Sequence, residues 1–260
     1  MARWKLTIEY DGRPFNGWQS QKDKSGIQDY VCKAIKDFSK EDVKIFTAGR
    51  TDSGVHARGQ VSHIDLERKT DANEMREALN NHLKPHPIAV IEVLEVSNNF
   101  HARFSAIKRH YKYGIINRRA PLTFDKGKYW RVGRKLNIDS MITASKHLIG
   151  HHDFTTFRSS HCQSKSPSKT IDEIIIEQFN DNISIRISAK SFLHNQVRSI
   201  VGSLKLVGEG KWDQKKIKEI LDKKDRTLCG PVAPAEGLSL EKVDYACLLY
   251  TSPSPRDDYE

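Results

Sequence analysis

Two β-α-β-β-α-β patterns in tandem predict an α+β protein, two ferredoxin-like halves around a central, mainly antiparallel sheet. Three observations carry that expectation. Segments of period-two alternation open and close each half, amphipathic segments of helical spacing lie between them, and the second half contains a hairpin across "NDN". Such a sheet has one face covered by helices and the other free.

In the first half, Leu6, Ile8 and Tyr10 alternate with polar neighbours over Trp4–Tyr10, which reads as a strand. Ile27, Tyr30, Val31, Ala34, Ile35 and Phe38 repeat at helical spacing over Ile27–Phe38. Val43–Ala48 and Val61–Leu66 read as strands on either side of a glycine-rich loop. Asp71–Leu83 reads as a helix, with Asp71 as N-cap and Glu74 three residues on in capping-box spacing. Ile88–Val96 closes the half as a strand.

The second half repeats the order. Ala106–Asn117 is expected as a strand, and Ile138–Ile149 as a helix with Met141, Ile142, Ser145 and Leu148 on its stripe. Thr170–Phe179 and Ile183–Ala189 form the expected hairpin. Leu193–Val207 and Lys215–Lys223 follow as helices, and Leu238–Tyr245 as a final strand. The division is therefore 1–105, 106–245, and a tail at 246–260. That tail, "ACLLYTSPSPRDDYE", continues neither pattern and carries two Ser-Pro steps, so it reads as non-native or disordered.

At 260 residues the chain is long enough to bury a substantial core. No apolar run approaches the length of a membrane span. "MARWKLTIEY" has neither an apolar signal region nor an Arg/Ser-rich presequence, so a cytoplasmic protein is expected. Cys32, Cys162, Cys229 and Cys247 are scattered, a pattern of reduced thiols rather than of a disulfide frame or a structural zinc site. Lysine and arginine number 43 against 33 acidic residues, a formal charge of +10. The tail contributes −2, leaving about +12 on the body. A balance of this sign suits a polyanionic partner such as nucleic acid, or serves solubility alone.

The chemistry is concentrated in "AGRTDSGVHARGQ", residues Ala48–Gln60. Asp52 sits there between arginines, either as a catalytic carboxylate or as part of a polar turn, for which Asp-Ser-Gly is good chemistry. A third reading, an aspartic protease, needs two carboxylates sharing one proton. The chain has one DSG, and Arg50 stands beside it; a nearby cation favours an ionised carboxylate, the wrong state for a shared-proton dyad. Gly49, Gly54, Ala57 and Gly59 let a backbone approach a ligand closely, while Arg50, His56 and Arg58 suit phosphates.

Two further side chains stand out. Alternation in "KRHYKYGII" places Ile107, Arg109, Tyr111, Tyr113 and Ile115 on one face. Tyr111 there is either a core aromatic or a stacking platform for a base beside a phosphate-binding Arg109. Arg198 sits early in the helix of "SFLHNQVRSIVGSLKLVG", where the helix dipole disfavours a cation, and a carboxylate partner such as Asp52 would explain it. The pairs His151–His152 and His82–His86 lack a third ligand at metal spacing, so no metal is expected.

Taken in order, "YDGRPFNGWQSQ", "GRTDSGVHARGQV", "NNFHARFSAIKRHYKYGI", "DFTTFRSS", "SFLHNQVRSIVGSL" and "AEGLSLEKVDY" resemble the bacterial tRNA pseudouridine synthase A family. The resemblance runs from about residue 4 to 245 and departs at Ala246, where the family usually continues with proline. It implies the pseudouridine synthase fold and isomerisation of uridine to pseudouridine at positions 38 to 40 of the tRNA anticodon stem-loop. It further implies a homodimer that needs neither metal nor organic cofactor. The family's catalytic aspartate falls on Asp52, its active-site tyrosine on Tyr111, and its aspartate-pairing arginine on Arg198. The apolar residue of its uracil pocket falls on Leu238 or Leu240. Arg50, Arg58, Arg103 and Arg109 are then the expected phosphate-gripping residues. The competing expectation is a non-catalytic RNA-binding protein in which Asp52 is only a loop residue.

Overall fold

Alternation in β1 (Ala2–Tyr10) buries Trp4, Leu6, Ile8 and Tyr10 on one face of the sheet. Against that face pack Ile27, Val31, Ala34, Ile35 and Phe38 of α1 (Ile27–Ser39) and Met75, Leu79 and Leu83 of α2 (Ala72–Leu83). The strands β2 (Phe46–Thr47), β3 (His56–Leu66) and β4 (Ile88–Val96) complete the first set. Next come β5 (Ala106–Ile116), β6 (Trp130–Arg131), α3 (Ile138–Ser145), β7 (Gly150–Asp153), β8 (Ser168–Phe179) and β9 (Asn182–Ala189). Helices α4 (Gln196–Gly208) and α5 (Lys216–Lys223) precede the last strand, β10 (Leu238–Tyr245). This computed structural model describes residues 1–160, 162 and 164–246; of the expected tail, residues 247–260 lie outside the described residues.

The α+β class holds. One ten-stranded sheet runs in the order β4-β1-β3-β10-β5-β9-β8-β7, with β2 added to β3 and β6 to β5. Its pairs are antiparallel except β3 with β10 and β5 with β6. The last described strand thus lies in the middle of the sheet, where Leu240 pairs with Ala57 on one side and Tyr111 on the other. Gly59 permits this seam, because a Cβ there would stand 2.5 Å from the Glu241 carbonyl.

Leu238 and Leu240, two residues apart on β10, point to one face and join two cores there. The second core gathers Tyr113, Ile115, Ile183, Ile185 and Ile187 of the sheet against Val197, Ile200, Val201 and Leu204 of α4. All of the packed helices therefore lie on the same face. The opposite face presents polar side chains such as Lys5, Glu9, Lys112 and Arg186.

Several boundaries differ from the sequence expectation. β3 begins at His56 rather than Val61, which shortens the glycine-rich loop and puts His56 and Arg58 on a strand. The helix expected to run to Ile149 ends at Ser145 with a short 3-10 turn, and residues 150–153 pair with β8 as the unexpected β7. α4 starts at Gln196, not Leu193, because Asn195 takes the left-handed conformation (φ 62°). Asp71 caps α2 as expected, accepting from the Asn73 and Glu74 amides. The reciprocal half of that box does not form, since the Glu74 carboxylate turns to Thr70 and Arg68.

Arg3 fastens the segment after β4 to the sheet. It donates to both oxygens of Asp65 at 2.7 and 2.8 Å and to the carbonyls of Asn98 and Phe100. This guanidinium holds the Asp65 carboxyl below its ordinary range, the partial burial of Asp65 opposing it more weakly. A depressed carboxylate stabilises the fold above its unfolded pKa, and that contribution is lost as pH falls through the folded value. The thermal midpoint is therefore expected to drop on acidification below about pH 4. A pH series on Asp65→Asn should show a shallower drop; an unchanged slope would contradict it.

Candidate active site

The loop between β2 and β3 is fixed before it reaches Asp52. The Ala48 amide donates to the Val61 carbonyl (2.8 Å), and Gln60 Nε2 donates to the Gly49 carbonyl (2.7 Å). Thr51, almost fully buried, meets the Tyr10 hydroxyl at 2.7 Å and accepts the Trp18 amide on its carbonyl. Beyond Asp52, Ser53 Oγ donates to the Phe15 carbonyl, and the Val55 amide closes a turn onto the Asp52 carbonyl with Gly54 at φ +77°. "DSG" is good turn chemistry, and here the turn also presents a side chain.

Gly17 controls how closely "FNGW" approaches this loop. It has φ +81°, and a Cβ would stand 2.7 Å from the Thr51 carbonyl. Gly17→Ala is expected to cost about 1–3 kcal/mol of stability and to lower turnover by displacing Asp52. Thermal melts alongside single-turnover rates check this; a variant with wild-type values of both would contradict it.

The Asp52 side chain is about one quarter exposed (27%) and meets two side chains, His194 just before α4 and Arg198 in its first turn. His194 Nε2 lies 3.2 Å from Oδ1, and Arg198 Nη1 lies 3.5 Å from Oδ2. The latter is an ion pair at the long limit of a hydrogen bond. Arg198 is aimed by its other contacts: Nη1 donates to Asn195 Oδ1 (3.0 Å) and Nε to the Ala233 carbonyl (2.7 Å). The Ala233 amide returns a bond to the Arg198 carbonyl, so the segment before β10 is zipped to α4. His194 is aimed by its backbone, whose carbonyl accepts the Ser159 amide of "DFTTFRSS" (2.9 Å).

Sequence reasoning gave a role to Arg198 alone within "HNQVR". Asn195 carries a usable signal, since asparagine tolerates the left-handed conformation that turns the chain into α4. His194 carries none, because its contact depends on two loops meeting across 142 positions of sequence.

Tyr111 lies at the seam, paired across it with Leu240 and packed edge-on against Phe192 at 5.2 Å. It joins both cores. Burial pushes its hydroxyl pKa up, and the neighbouring Tyr10 and Asp52 add to the rise, so at neutral pH it is a phenol. A phenol offers a ring face and a proton to donate; it is not a base in that state. Leu240 is fully buried and Leu238 nearly so, both on the same face of β10.

The four expected phosphate-gripping arginines separate into two groups. Arg50, Arg58 and Arg103 are exposed, with Arg58 3.9 Å from Glu241. Arg109 instead is buried (8% exposed), and its guanidinium donates to the backbone carbonyls of Ala48, Arg103, Ala106 and Lys190. It clasps the entrance of the Asp52 loop to the segment leading to His194. His56, read with the same group, has both ring nitrogens engaged by backbone: Nδ1 accepts the Gly12 amide, and Nε2 faces the Gly127 and Glu236 carbonyls. Among the described residues, no group of three His, Cys, Asp or Glu is placed to hold a metal ion.

Fold and site define a class of protein: an α+β sheet whose central seam carries one loop carboxylate, paired with Arg198 and met by His194, beside a tyrosine of the seam. The profile of the tRNA pseudouridine synthase family matches residues 6–105 and 144–246. Over 245 residues the chain is 55% identical to tRNA pseudouridine synthase A of Parvibaculum lavamentivorans, covering 94% of this chain and all of that protein. It is 52% identical to tRNA pseudouridine synthase A of Maricaulis maris, covering 94% of this chain and 98% of that protein. The chain belongs to the tRNA pseudouridine synthase family.

Proposed function

We propose that Asp52 carries the isomerisation of uridine to pseudouridine at positions 38 to 40 of the tRNA anticodon stem-loop. Membership of the family makes the protein an isomerase acting on tRNA uridine. The observation behind the residue assignment is the Asp52 carboxylate itself, with His194 at one oxygen and Arg198 at the other, beside Tyr111, which packs against both cores.

The reaction breaks the N1–C1′ bond, turns the uracil and joins C5 to C1′; the C5 proton leaves and N1 gains one. One carboxylate suffices, as a nucleophile toward sugar or base or as a base at C2′, whereas glycoside hydrolysis typically needs two. Arg198 and His194 hold the two oxygens of Asp52 in place, so little reorganisation is needed when charge develops. Tyr111 and Leu240 form a floor on which the uracil stacks and turns with water kept out. The target base must first leave its stack, at a cost of a few kcal/mol. Exposed Arg50 and Arg103 at the rim offset that cost through phosphate contacts. Arg109 serves the same end indirectly by clasping the loop that carries Asp52.

This reading divides the chain at residues 105 and 106, the first part supplying Asp52 and the second Tyr111 and Arg198. It also takes the family's dimeric state for this protein, and the cytoplasmic location that its N-terminus and scattered cysteines lead us to expect. No described helix is long and apolar enough to cross a membrane.

Loss of the C5 proton gives a direct assay. Wild-type protein should release tritium from tRNA labelled at uracil C5, and His194→Ala should slow release without weakening tRNA binding. Absence of release by the wild type would overturn the reading.

A further inference from the structure

A second RNA contact is built into the segment between β5 and α3. Residues 118–135 hold seven lysines and arginines against one acidic residue. Six of the seven, Arg119, Lys126, Lys128, Arg131, Arg134 and Lys135, are exposed. Among the described residues none of the six has a carboxylate within ion-pair distance, whereas Lys33, Lys36, Lys216 and Lys223 elsewhere on the surface do. At the far end of the segment Phe124 stands 97% exposed, more than any other large apolar side chain described. An unneutralised row of cations and a bare aromatic ring each cost solubility or stability if they meet only water.

The segment is held as an arm. At its base Asn117 Nδ2 donates to the Val132 and Arg134 carbonyls, and β6 pairs with β5. At its outer turn, where Gly127 takes φ +78°, Arg13 Nη1 donates to the Lys126 carbonyl and His56 Nε2 to the Gly127 carbonyl. His56 follows Asp52 by four residues at the start of β3, and Lys128 and Tyr129 of the arm line a recess with Glu9, Arg58 and Lys112 on the polar face of the sheet. It also falls within the stretch 106–143 that the family profile leaves unmatched.

We propose that this arm is a substrate-binding surface for the sugar-phosphate backbone of tRNA, with Phe124 as a stacking side chain for an unpaired base; the inference rests on the proposed action on tRNA. Phosphates answer the exposed cations without regard to sequence, and a base has a π-face to offer the ring. Arm and site together span more of the RNA than the flipped nucleotide alone.

The side chains of Arg119, Lys126 and Lys128 make no hydrogen bond among the described residues, so Arg119→Gln/Lys126→Gln/Lys128→Gln should fold normally. Binding of full-length tRNA transcript would be measured against salt concentration, beside a charge-matched control, Lys69→Gln/Lys215→Gln/Lys218→Gln. The arm variant should bind about ten-fold more weakly, with the slope of log affinity against log salt reduced by about two to three. Phe124→Ala should weaken binding by about five-fold or more. An arm variant with wild-type affinity and slope, or a control that loses as much, would overturn the proposal. So would a loss traced to dissociation of a dimer, which would make the arm a contact between copies of this chain. Tritium release by the wild type, recorded in parallel, reports separately on the reading of the site.

Discussion

Asp52→Asn is expected to reduce turnover to below about 10⁻⁴ of wild type while tRNA affinity stays within about three-fold. The amide keeps the shape of the side chain and can still accept a bond from His194 or Arg198, so the loop remains in place. It can act neither as nucleophile nor as base, and its NH₂ group faces one donor without an acceptor to offer it. Single-turnover conversion and equilibrium binding, measured on the same preparation, separate the two effects. Retention of full activity would mean that Asp52 is only a loop residue, as in the competing expectation of a non-catalytic RNA-binding protein.

Arg198→Ala should lower kcat by about 10²- to 10³-fold with little change in KM, because the lost contact orients a catalytic group rather than the RNA. Arg198→Lys should restore no more than about one tenth of that loss. The guanidinium serves Asp52, Asn195 Oδ1 and the Ala233 carbonyl at once, and a single ammonium cannot span all three. Steady-state kinetics on both variants, with thermal melts to register the loosened segment before β10, test the claim. A lysine variant with wild-type kcat would show that charge alone suffices.

Most of the fold was legible because local signals and tertiary structure agree. The alternation of β1, the stripe of α1 and the "NDN" hairpin each encode one face of one element, and burial follows the pattern. Where the sequence reading failed, longer-range partners decided. Nothing in "GHHD" marks a strand until β8 lies beside it, and the helical pattern at Leu193 is overridden by the left-handed Asn195. The central position of β10 could not be read from its own residues, since strand order is set by contacts far apart in sequence.

The site shows the same division. Asp52 and Arg198 stand out by misplaced polarity, a carboxylate among arginines and a cation at a helix start, while Tyr111 reads equally as a core aromatic; the family resemblance gives all three their roles. Arg109 looked identical to its neighbours in sequence because an arginine in a basic run gives no sign of whether its donors face water or carbonyls. Its burial here reflects the meeting of residues 48, 103 and 190 around it. His194 was hidden for the same reason.

The most direct test uses an unmodified tRNA transcript bearing uridines at 38 to 40, incubated with wild-type protein and with Asp52→Ala, without added metal or cofactor. Pseudouridine is then mapped by position. Conversion within the anticodon arm by the wild type alone is the result expected here. Conversion by Asp52→Ala at the wild-type rate, or tRNA binding by the wild type with no conversion anywhere, would contradict it.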